Sequence, residues 1–160
     1  MALKGRIRFG AAFAVAIGMA VAVSGASAQS NMAAAVKARQ AHFKQQGAAF
    51  KAILDQIKKD QPDPGVIRAN ADKLKTLSAQ LPTWFPKGSG PEAGVKTGAK
   101  PKIWTEPSEF QAAAARFQAE AAKLDQLAMA GDIPGVKGEV RAVGGACKNC
   151  HDKFRVPDKD

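Results

Sequence analysis

The sequence predicts an all-α protein, an antiparallel four-helix bundle with a long loop between helices 2 and 3. Three observations carry that prediction. No run of residues sustains the apolar-polar alternation and β-branched enrichment of a strand. Four segments instead repeat apolar or small residues at steps of three and four. Two connections between them are short and one is long, as in bundles whose helices pack against their chain neighbours.

The first 28 of the 160 residues stand apart. Lys4, Arg6 and Arg8 precede an apolar run from Phe9 to Val23 that ends in Ala26-Ser27-Ala28. This order reads as a secretory signal peptide cleaved between Ala28 and Gln29, which places the mature protein in the periplasm. The apolar run is short for a bilayer span, and no membrane span is expected in the mature chain. Residues 29–160 then form a single domain, long enough to hold one core without staples. Their 21 basic and 14 acidic residues leave a net charge of +7. The lysines are scattered among acidic residues along the sequence, which argues against nucleic acid as a partner.

The first helix is predicted from about Asn31 to Lys59, with Val36, Phe43, Phe50, Leu54 and Ile57 inward and Gly47 completing the spacing. Gln61-Pro62-Asp63-Pro64-Gly65 ends it. The second runs from about Gly65 to Leu81, turning Ile67, Leu74, Leu77 and Leu81 inward, and Pro82 stops it. Between Pro82 and Pro107 five prolines and four glycines resist regular structure. Trp84, Phe85, Ile103 and Trp104 at the ends of that stretch predict a packed crossover rather than a loose linker. A third helix starts with Ser108 as N-cap and buries Phe110, Phe117, Leu124 and Leu127 before Gly131 ends it. The fourth begins at Asp132, tolerates Pro134 in its first turn, and lines up Val136, Val140, Val143, Cys147, Cys150 and Phe154.

The two cysteines fall within Cys147-Lys148-Asn149-Cys150-His151. This is the C-x-x-C-H pattern of covalent c-type haem attachment, in which both thiols add to haem vinyl groups and the imidazole takes an axial iron position. A zinc site would need more soft ligands, since His42 is the only other histidine. A thiol-disulfide site of the thioredoxin kind would need strands around it.

A haem motif close to the C-terminus of a four-helix, exported chain resembles the class II cytochromes c, and within them the cytochrome c prime family. Arg39-Gln40-Ala41 followed by Phe43 is similar to that family's first-helix signature, and Cys147 to Arg155 to its C-terminal one. The resemblance implies one covalent haem c, with His151 as proximal iron ligand and Cys147 and Cys150 as thioether anchors. It places Arg155 beside the proximal face or a propionate, since four residues on a helix make one turn on the same side; the alternative is an arginine that only answers the helix C-terminus. Arg39 is similar to a family arginine near the haem propionates, the alternative being a solvated helix charge. Pro101-Lys102-Ile103-Trp104 looks more like the methionine-ligated, electron-carrying branch of the same class.

What covers the other side of the iron separates the functions. The first-helix position that the resemblance turns towards the iron is Phe43, which cannot ligate, and Met32 and Met129 do not match that position. The expectation is a five-coordinate iron under an apolar wall; the resemblance implies that it binds nitric oxide and carbon monoxide, and that nitric oxide can also attack from the proximal side and displace His151. Such a wall offers bound dioxygen no hydrogen bond. The alternative is a six-coordinate, low-spin electron carrier, with His42 as the competing ligand; roughly 100° per residue turns His42 off the Phe43 stripe, towards the surface or an interface. No enzyme is expected, because no acid and base are paired along the distal stripe. The resemblance also implies a homodimer through the first two helices and leaves the redox partner protein open.

Overall fold

The computed structural model describes the backbone of residues 21–157 and side chains from Gln29 onwards. Most of the signal-peptide segment lies outside the described residues. The helices are α1 (Val21–Ile57), α2 (Pro64–Gln80), the short α3 (Lys102–Thr105), α4 (Pro107–Met129) and α5 (Ile133–Phe154). α1, α2, α4 and α5 form the bundle. Among the described residues no helix is long and apolar enough to cross a membrane.

Helix ends follow local chemistry. Asp63 caps α2, its Oδ1 accepting from the backbone N–H groups of Gly65 at 2.8 Å and Val66 at 3.2 Å. Asp132 caps α5 by accepting from Gly135 N–H at 2.9 Å. Gly131, at φ 71°, makes the left-handed turn between α4 and α5. The expected Ser108 cap is corrected: Pro107 occupies the first helical position after Glu106, where its missing N–H is harmless, and Ser108 lies inside α4. Among the described residues α1 is already helical at Val21, ahead of the expected Asn31, so the helix runs through the predicted cleavage point.

Cross-links fix the directions. Gln118 Nε2 donates to Ser78 O, and Lys75 pairs with Asp125, so α2 and α4 run antiparallel. Lys123–Glu139 and Lys153–Glu109 set α4 against α5 in the same way. α1 lies along α2, while α1 and α5 touch over only a short stretch. The core is Ile53, Ile67, Leu74, Phe110, Phe117, Leu124, Val136 and Val143 with their neighbours.

The inward face of α1 differs from expectation. Val36, Arg39, Gln46, Ala49, Ile53 and Gln56 are buried, whereas Phe43, Phe50, Leu54 and Ile57 are half-buried. The two rows differ by roughly a quarter turn. One row faces α2; the aromatic row flanks it on the side of α5. Apolar spacing alone could not separate them, because the row against α2 is itself partly polar.

The long crossover is packed, as expected from its aromatic ends. It contains 3₁₀ turns at Leu81–Trp84 and Pro91–Ala93 before α3. Trp84 and Ile103 are buried, and the Trp104 indole N–H donates to the Phe85 and Pro86 carbonyls. The only β feature among the described residues is an isolated antiparallel bridge between Ala99 and Arg155.

Candidate haem site

α5 presents Cys147 and Cys150 on the side facing the core, both half-buried and both free thiols. They stand one turn apart on the same side of the helix, followed at once by His151. Burial, helped by the neighbouring Cys150, pushes the Cys147 thiol up to about 11, and burial also raises Cys150. Thiols held protonated in this way are poor nucleophiles for disulfide exchange, which weighs against a thiol redox module. Among the described residues no three His, Cys, Asp or Glu side chains gather to hold a bare metal ion. The donor set suits a macrocycle with two vinyl groups and an iron that needs one imidazole.

The opposite wall is α1, and one contact sets its register. A Cβ placed on Gly144 would lie 3.9 Å from Phe50 Cζ, so Phe50 meets α5 at Gly144. Two turns from that contact, at the same end of these antiparallel helices, stand Phe43 on α1 and His151 on α5. Between these levels Gly47 stands opposite Cys147; it is exposed, and a Cβ there would meet nothing within 4 Å. No side chain from α1 therefore stands at the level of Cys147. A cleft of about 260 Å³ opens at the end of the seam, lined by His151, Asp152, Arg155, Val156 and Pro157.

Phe43 is held from behind by the crossover. Its ring meets Trp84 edge-on at 5.4 Å and Phe85 at 6.2 Å, and Phe85 continues to Phe110 at 4.8 Å and on to Phe154. The wall is apolar, as the sequence led one to expect. His42 is placed in a way the sequence did not show. It is no surface residue: its ring stacks on Trp84 at 4.6 Å and 19°, with Nδ1 buried and unpartnered. Met32 packs its Cγ and Sδ against Gly88, and Met129 is exposed at the far end of α4. Neither methionine stands beside Phe43.

Arg39, one turn before Phe43, is 3 % exposed and so is not a solvated charge. Its Nη1 donates to Trp84 O and Ser89 Oγ, its Nη2 to Ser89 O and Thr97 Oγ1, and the guanidinium lies 4.5 Å from the Phe85 ring centre. Burial lowers its pKa from the ordinary arginine value. Ser89 and Thr97 were missed by sequence reasoning; the one available signal for Ser89 was its place between Gly88 and Gly90, where Gly88 takes φ 89°.

The same crossover reaches the His151 side. Lys100 N–H donates to Phe154 O at 2.9 Å, Val156 N–H to Gly98 O at 2.8 Å, and Lys100 Nζ to Asp152 O. Arg155 is exposed on the cleft rim, with its stem against Gly98. Its backbone is extended (φ −116°, ψ 135°), so the helical one-turn argument stops at Phe154, and Arg155 caps α5 by donating its N–H to His151 O.

Residues 34–155 match the family model described as Cytochrome C'. Cytochrome c' from Alcaligenes xylosoxydans xylosoxydans is 38% identical over 122 residues, 76% of this chain and 92% of that one. The crystal structure of cytochrome c' from Rubrivivax gelatinosus superposes with a TM-score of 0.70 at 36% identity, covering 76% and 94% of the two chains. A nitric oxide complex of a mutant cytochrome c prime from Alcaligenes xylosoxidans gives 0.72 at 32% identity, covering 79% and 97%.

Proposed function

Since the chain belongs to the cytochrome c' family, we propose that it is a periplasmic haem protein that binds nitric oxide and carbon monoxide at a five-coordinate iron. Its cofactor is one covalently bound haem c, which supplies an iron able to take up a diatomic gas or an electron. Cys147 and Cys150 would tether the group and His151 would ligate its iron, with Phe43 facing His151 from α1.

The observation that carries this reading is the levelling of Phe43, which cannot ligate, with His151 across the α1–α5 seam, while the neighbouring His42 ring is stacked on Trp84. Trp84 and Phe85 back the Phe43 ring, and Arg39 fixes both through the crossover, so the wall is crowded and water is kept away. Arg155 stands with His151 at the mouth of the terminal cleft, where it supplies positive charge to the proximal side. Optical spectra of the matured protein test the reading. High-spin bands that shift when carbon monoxide meets the reduced form support it. Low-spin bands indifferent to carbon monoxide would make the protein an electron carrier with a filled sixth position.

A further inference from the structure

Basic residues repeat at seven-residue steps on α1, at Lys37, Lys44 and Lys51, with Lys58 directly after its end, and again on α5 at Arg141 and Lys148, with Lys137 one turn before Arg141. All are exposed. Three of these lysines follow directly on a residue of the half-buried row: Lys44 after Phe43, Lys51 after Phe50, and Lys58 after Ile57, the last residue of α1. On α5, Arg141 follows Val140 and Lys148 follows Cys147 in the same way. One residue turns a right-handed helix by roughly 100°, and in two antiparallel helices facing each other that turn carries both rows to the same side of the seam. The register set by Phe50 and Gly144 then levels Lys44 with Lys148, Lys51 with Arg141 and Lys58 with Lys137.

The face so formed carries seven basic residues and two acidic ones, Asp55 and Asp152, which pair with Lys51 and Lys148. It therefore accounts for five of the seven net charges of residues 29–160. The remaining surface is nearly balanced. Like charges set opposite each other across a seam oppose folding, so intramolecular stability does not explain them. Exposed lysine pairs with Asp55 and Asp152 offset little of that repulsion.

We propose that this α1–α5 face is the docking surface for an acidic redox protein. The reading rests on haem in the seam, because the basic rows border the seam where Cys147, His151 and Phe43 stand. Charge complementarity identifies the partner: a carboxylate-rich patch that brings its own one-electron carrier against the seam. With haem c held by Cys147, Cys150 and His151, the group would supply a ferric iron able to accept one electron from the reduced partner, which would be oxidised by one electron, with no atom or proton to transfer.

The test uses ferric holoprotein and flavodoxin, an acidic one-electron protein, as the probe. Zero-length carbodiimide coupling is expected to join flavodoxin carboxylates to Lys44, Lys51 and Lys148, read by peptide mass. The doubly reversed variant K44E/R141E is expected to weaken flavodoxin binding by about tenfold or more at low salt. K73E/R116E, with the same net charge but exposed sites on α2 and α4, should change it by less than about twofold. Equal effects of the two variants, or cross-links spread over α2 and α4, would overturn the proposal. So would loss of binding to anionic phospholipid vesicles in K44E/R141E with no flavodoxin binding by the parent, which would make the face a membrane contact. The haem spectrum is recorded first: a colourless protein means that the haem reading failed, a coloured one indifferent to charge position means that the docking reading failed.

Discussion

Arg39 donates to Ser89 twice, from Nη1 to Oγ and from Nη2 to the carbonyl oxygen, both at 2.9 Å. A buried arginine on α1 thereby fixes a crossover that lies 50 residues further along, and the aromatic wall behind Phe43 depends on that crossover. Arg39→Leu strands the Trp84 and Ser89 carbonyls, and the expected loss is about 2–4 kcal/mol in urea unfolding of the holoprotein. Arg39→Lys keeps the charge but not the fork, and should fall between the two.

On the proposed reading, Phe43 sets how easily a gas reaches the iron. Truncation in Phe43→Ala removes the ring that stands level with His151. The association rate of carbon monoxide with the reduced protein, measured by flash photolysis, is expected to rise by about tenfold or more, a barrier change of ~1.4 kcal/mol. An unchanged rate would show that the ring does not cover the iron.

Glu139 is a carboxylate at 4 % exposure whose Oε2 meets Lys123 at 2.6 Å while Oε1 has no hydrogen-bond partner. Lys123→Met leaves that buried charge alone and should cost about 1–3 kcal/mol. Glu139→Gln removes the charge and should be close to neutral. Thermal melts of both variants at neutral pH distinguish these outcomes.

Acid should loosen the junction of α3, α4 and α5. Lys102 and then Lys153 hold the Glu109 carboxyl below the usual glutamate range. A carboxylate whose folded pKa is depressed contributes stability above its unfolded value, and that contribution is lost as pH falls through the folded value. The stability advantage of the parent over Glu109→Gln is therefore expected at pH 6 to 7 and should vanish below about pH 4. Denaturant midpoints across that range check the sign.

Much of the site was legible in the sequence because its signals are local. The C-x-x-C-H motif needs five consecutive residues, and one helix suffices to present both thiols and the imidazole together. Helix positions followed from the three- and four-residue period, and the last helix starts at Asp132 as its sequence predicts, whereas the Asp63 cap emerged only in the structure. Ser108 was misread because proline in the first helical position shifts the cap by two residues. The destination of Arg39 was not legible, since Ser89 and Thr97 become its neighbours only when the crossover folds back on α1.

By itself, then, the sequence determined the helices, their alternating directions and the haem-attachment chemistry, all of which depend on neighbours within about one turn. Tertiary structure decided the rest. It separated the buried row of α1 from the aromatic row, set Phe43 level with His151, and drew His42 onto Trp84. It also gathered onto one face the lysines that look scattered along the chain. The physical reason is geometric: a helix fixes the angle between its own side chains, but only the packing of α1 against α2 and of α5 against α4 decides which angles meet across the seam.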